Sequence, residues 1–217
     1  MASLVQDVWL GWDPRLRARR FAPWEEPAVR LLFCPEPVAT LDDPPLLRFL
    51  ESLASRIEVI AWEPRGQGGS SGRPGPEVLE DARRLVAESP SRWGGTRRLV
   101  LGGHGLGGWL ALAAADRPGV TAAFALGPAL ETGGVGASSL REALQAALSR
   151  PPLAVPTLVI DSRDSPPEER ERVGEWIARE PLASRIASAS GELLSPPWDE
   201  VVRAWTGSVG GAGEASR

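Results

Sequence analysis

Few side chains in this chain can do covalent or acid–base chemistry. There is one histidine, His104, and one cysteine, Cys34, with no lysine and no tyrosine. The histidine lies inside Gly102-Gly103-His104-Gly105-Leu106-Gly107-Gly108. That spacing is the G-x-S-x-G turn, in which a strand-to-helix corner thrusts a serine out as nucleophile. The serine position here is Gly105, which has no side chain with which to attack. The run also contains G-x-G-x-x-G through Gly103, Gly105 and Gly108. A dinucleotide site would want an acid at the end of the next strand. That strand ends Ala125-Leu126-Gly127-Pro128, without one.

The missing residue types exclude whole mechanisms. Without lysine there is no Schiff base and no P-loop lysine, and one histidine with one cysteine makes no typical zinc site. No cofactor and no metal is expected. The avoided residues have A/T-rich codons, which fits a G/C-rich bacterial genome. The formal charge of −4 gives no electrostatic case for nucleic acid or for an anionic membrane surface. No apolar run reaches membrane-span length, and residues 1–10 lack the pattern of a signal peptide. A lone cysteine makes the cytoplasm the expected compartment.

The elements that must position these residues alternate. Leu4 to Leu10 and Arg17 to Phe21 read as a hairpin. Val29 to Cys34, Ile57 to Trp62, Arg98 to Gly102, Val120 to Leu126, Thr157 to Ile160 and Ser184 to Ala189 read as strands. Helical spacing marks Pro44 to Ser55, Glu77 to Ser89, Leu106 to Ala115, Ser139 to Leu148, Pro167 to Arg179 and Pro197 to Trp205. This order predicts an α/β protein with about eight strands, mostly parallel, and helices on both faces. A single domain over 1–206 is expected, with a minimal lid at about 128–152 and a flexible tail at 207–217.

Three further segments extend the pattern. Glu63-Pro64-Arg65-Gly66-Gln67-Gly68-Gly69-Ser70 resembles a D-x-R-G-x-G-x-S segment, with Glu63 in the place of the aspartate. Val155 to Asp164 resembles the strand that delivers a triad acid, with Asp164 in the acid position. Gly191-Glu192-Leu193-Leu194 resembles a Gly-His-x-x segment, with Glu192 in place of the histidine. With the elbow, these resemble the α/β-hydrolase superfamily over nearly the whole chain. The resemblance implies an α/β-hydrolase fold and esterase- or lipase-like ancestry.

The departures from the family pattern are as consistent as the matches. Gly105 vacates the nucleophile position and Glu192 replaces the base; Asp164 alone is retained. The oxyanion region maps to Cys34, Pro35, Gly105 and Leu106. Pro35 falls where the family gives a backbone N–H, and proline has none. A one-residue shift of register moves that donor to Cys34 or Glu36.

The expected function is therefore a non-catalytic member that binds a small ligand or a protein partner. The alternatives are acid–base chemistry through Asp164, Glu192 or His104, and an ester or thioester hydrolase whose nucleophile is Ser70, Ser71 or Ser190. Each site residue also has a structural reading. His104 packs beneath the turn, Asp164 suits an Asx turn, Glu192 is a solvated surface acid, and Cys34 is a buried inert thiol. Trp62 and Trp198 flank the expected pocket and are candidates for an aromatic wall.

Overall fold

The structure is a computed structural model that describes residues 4–11, 13–94, 97–130, 137–189 and 192–211. Trp12, Ser190, Gly191, part of the expected lid (131–136) and the end of the tail (212–217) lie outside the described residues.

One eight-stranded sheet runs in the order β1-β2-β4-β3-β5-β6-β7-β8. β1 (Leu4–Leu10) and β2 (Leu16–Ala22) form the expected hairpin, and β2 pairs antiparallel with β4 (Glu58–Trp62). β3 (Val29–Cys34), β5 (Arg98–His104), β6 (Val120–Leu126), β7 (Thr157–Ser162) and β8 (Ala183–Ser188) continue it in parallel. Every residue of β3, β4 and β7 is buried, as expected of strands covered on both faces. This is the α/β-hydrolase fold.

The helices divide between the two faces. α1 (Pro44–Leu53) and α6 (Trp198–Gly211) cover one face around Phe33, Phe49 and Phe124. α2 (Glu77–Trp93), α3 (Leu106–Ala114), α4 (Ala137–Leu148) and α5 (Pro167–Ile177) cover the other. All nine residues of α3 are buried, so this helix has no solvent face and needs no amphipathic stripe. Trp109 of α3 meets Trp176 of α5 edge to face at 5.9 Å.

Two helices run longer than local signals predict. α2 continues through Pro90 to Trp93, where a proline should have ended it. Arg30, from β3, donates to the carbonyls of Ser89, Trp93 and Gly94, so acceptors at the end of α2 are satisfied from the neighbouring strand. α6 continues past Gly207 to Gly211. β5 and β7 each run two residues beyond their expected ends, because β6 and β8 pair with them that far.

Candidate functional site

The elbow forms as the motif requires. β5 ends at His104, α3 begins at Leu106, and Gly105 between them has φ +57° and ψ −126°. No non-glycine residue among the described ones has positive φ, so the strained corner is left to glycine. The Gly105 N–H donates to the Leu126 carbonyl at 2.9 Å, which ties the corner to β6.

The approach of α3 to the sheet explains the other glycines. A Cβ on Gly103 would run into the Gly107 carbonyl, and one on Gly107 into the Cys34 carbonyl. The loop after β3 therefore lies directly on the first turn of α3. β3 pairs with β5 through Phe33 opposite Gly102 and Cys34 opposite Gly103. That register ends the strand at Cys34 and puts Pro35, with no N–H, immediately after it.

Glu36 is the residue that the sequence reading underrated. A Cβ built on Gly105 would lie 3.1 Å from Glu36 Cγ and 3.3 Å from its Cβ. The Glu36 side chain thus covers the place from which a nucleophile would project. Its carboxylate continues to His104, with Oε2 3.3 Å from Nδ1, without hydrogen-bond alignment. The residue types alone offer Glu36 only as an alternative backbone donor. The available signal was an acid between two prolines, leaving a strand end beside the elbow.

His104 does not simply pack beneath the turn. It lines a cavity of about 520 Å³ that opens between α1, the loop after β8 and the start of α6. Glu192, Leu193 and Leu194 contribute from that loop, and Arg48 and Phe49 from α1. The aromatic wall is Phe49. Trp62 faces a small void of about 20 Å³ on the other side of the sheet, and Trp198, the first residue of α6, packs against the core. Asp199, buried at the start of α6, accepts a hydrogen bond from Ser52 of α1 and links the two helices beside the cavity.

Burial pushes the His104 pKa below its ordinary value of 6.5, and the Glu36 charge opposes that shift. The linkage sign follows. The unfolded chain takes up a proton near pH 6.5 while the folded chain stays neutral to lower pH. The stability contributed is present above pH 6.5 and lost as pH falls toward the folded value. Urea denaturation should show the wild type losing more stability than His104→Gln between pH 8 and pH 5. Equal losses would mean that the imidazole titrates alike in both states.

The other predicted residues are scattered. Asp164 is exposed in the turn after β7, does not line the cavity, and makes no side-chain hydrogen bond or ion pair among the described residues. The turn is held by Ser162, whose hydroxyl accepts the Asp164 N–H at 3.0 Å, so it is not built on the Asp164 carboxylate. Glu192 is exposed and shares the cavity with His104. Cys34 is buried, and burial raises its thiol pKa far above the ordinary range, which removes the thiolate.

Ser70 donates to the Glu63 carbonyl and accepts the Arg17 N–H, and Ser71 accepts the Arg15 N–H. Both serines stitch the loop after β4 to β2. Ser190 lies outside the described residues. Glu63 is buried and accepts the N–H groups of Leu41 and Gly69, a loop clamp rather than a surface acid. No group of three or more metal-binding side chains occurs among the described residues, and no described helix is long and apolar enough to cross a membrane.

Solved structures share this fold. An esterase from Butyrivibrio proteoclasticus with ferulic acid bound superposes with TM-score 0.74 at 14% identity, over 93% of this chain and 98% of that one. An esterase from Pyrococcus furiosus gives 0.71 at 14% identity, over 95% and 90%. The thioesterase domain from the curacin biosynthetic pathway gives 0.66 at 14% identity, over 93% and 99%. No curated protein sequence matches the chain. A family model described as the alpha/beta hydrolase family matches residues 39–209, most of the chain and all of the strand–elbow–helix core. The chain belongs to the alpha/beta hydrolase family.

Proposed function

We propose that this family member does not carry out nucleophilic acyl transfer and uses the cavity beside its elbow to bind a small ligand. The observation that carries the reading is the Glu36 side chain over Gly105. The nucleophile is absent, and an acid from the neighbouring loop packs closely against its position. With Glu192 in the base position and Pro35 after β3, triad chemistry lacks nucleophile, base and one oxyanion donor.

A cavity of about 520 Å³ is within the usual range for small-molecule sites, and its walls mix apolar surface with a few polar groups. The related esterase holds ferulic acid, and a small aromatic or acyl acid of that kind is the ligand class to try first. Arg48 lines the cavity and has no ion-pair partner among the described residues, so a positive charge is available to a carboxylate.

Short acyl esters and thioesters should be hydrolysed no faster by the purified protein than by buffer. Gly105→Ser with Glu192→His should remain inactive, because Glu36 crowds the new side chain and Pro35 still gives no oxyanion N–H. Titration calorimetry with ferulate and simpler aryl acids should give saturable binding that weakens in Arg48→Gln. Wild-type ester turnover that disappears in Asp164→Ala would overturn this reading.

A further inference from the structure

We propose that His104, oriented by Glu36, is a general base that takes a proton from a carbon acid held in the cavity beside the elbow. This rests on the ligand-binding reading above and adds a reaction to it.

The two edges of the imidazole have different surroundings. Nδ1 is sealed from solvent and faces the Glu36 carboxylate at 3.3 Å. Nε2 makes no hydrogen bond among the described residues, and the ring, with its side chain 19% exposed, lines the cavity that Glu36 does not line. A carboxylate on Nδ1 favours the tautomer with its proton there, which leaves the Nε2 lone pair free. This is the acid–base half of a triad, rebuilt from the opposite side of the elbow. Glu36, a positioning residue, replaces the family acid, and His104 replaces the family histidine. The contact is longer and less aligned than a good hydrogen bond, which is common before a ligand closes the site. Burial also keeps the imidazole neutral, the form that can accept a proton.

The rest of the cavity suits proton abstraction better than hydrolysis. Phe49, Leu193 and Leu194 offer apolar contact, and Arg48, which makes no ion pair among the described residues, brings the one positive charge to a lining that also holds the carboxylates of Glu192 and Asp199. A carbonyl or aromatic compound with an acidified C–H fits this set, since losing the proton places negative charge on an oxygen. In the step, Nε2 takes the proton and the C–H electron pair moves toward that oxygen. The imidazolium then returns its proton to the ligand or to water.

The probe is 5-nitrobenzisoxazole, whose base-promoted ring opening needs no co-reactant. The base takes the C3 proton, the C–H pair completes the nitrile, and the N–O bond breaks to give a coloured phenolate. With no lysine, no tyrosine and one histidine, the competing side-chain bases are carboxylates, of which Glu192 and Asp199 line the same cavity, and His104→Gln tells them apart from the imidazole. Wild-type protein should turn the probe over at least ~100-fold faster than equimolar free imidazole. His104→Gln should fall to the buffer rate. Glu36→Gln should fall roughly tenfold, with the midpoint of its pH–rate profile moved to lower pH, because the Glu36 charge raises the His104 pKa. The nitrogen NMR spectrum of the single imidazole should show the Nδ1–H tautomer in the wild type, a readout that needs no variant.

Saturable quenching of tryptophan fluorescence by the probe, with a rate no faster than free imidazole, would overturn the proton-transfer proposal and leave ligand binding standing. Turnover that requires His104 but never saturates, with no quenching, would instead overturn the binding reading. An Nε2–H tautomer would overturn the proposal.

Discussion

Replacing Glu58 with glutamine should lower stability by about 3–5 kcal/mol, read as a fall in the urea midpoint and a drop in Tm of roughly 6–20 °C. Glu58 begins β4 and is fully buried. Its two oxygens accept from Nε of Arg20 and Nε of Arg30, each at 2.7 Å, and a nitrogen of Arg97 lies 3.6 Å away. Arg30 is itself buried, and burial pulls its pKa below the ordinary value while Glu58 opposes that shift. An amide at position 58 would leave a buried guanidinium with no counter-charge. Breaking such a pair costs more than replacing both partners. The double change Glu58→Leu with Arg30→Met should recover only part of the loss, because Arg30 also donates to the carbonyls of Ser89, Trp93 and Gly94 and because Arg20 and Arg97 still lose their acid. A decrease below ~1 kcal/mol for Glu58→Gln would mean that the pair behaves as a surface ion pair.

Gly107→Ala should cost about 3 kcal/mol, at the upper end for overpacking, because the new methyl meets backbone rather than a movable side chain. Its Cβ would overlap the Cys34 carbonyl and lie 2.7 Å from the Pro35 oxygen. The loop carrying Glu36 would be pushed off α3, so the variant should also shift the His104 titration seen by NMR. Gly207→Ala is the control. That glycine is helical and nothing lies within 4 Å of an added Cβ, so the change should stabilise by roughly 0.5–1 kcal/mol. A neutral Gly107→Ala with an unmoved titration would show that the loop is not clamped to the helix.

Most of the architecture was legible along the chain because its signals are local. Strand length, apolar run and the glycine turn identified β3 to β7, the elbow and α3 without any long-range information. Of the element ends that moved, those of α2, β5 and β7 were decided by a neighbour. α2 runs through Pro90, with Arg30 of β3 satisfying carbonyls at its end, and β7 extends to Ser162, where β8 pairs with it.

The site divides in the same way. That Gly105 has no side chain and that the chain holds a single histidine is written in the residue types and needs no coordinates. The place of each remaining acid does need them. Asp164, the acid expected from the resemblance, stands exposed, without a side-chain partner among the described residues. Glu36 has no motif of its own, yet its side chain lies over Gly105 and its carboxylate reaches His104.

The sequence by itself determined what this chain lacks, because a missing side chain is absent in every conformation. Only the tertiary structure decided what stands in its place. The contact between Glu36 and the elbow depends on how closely β3, β5 and α3 pack, and that distance is set by glycines on separate elements acting together.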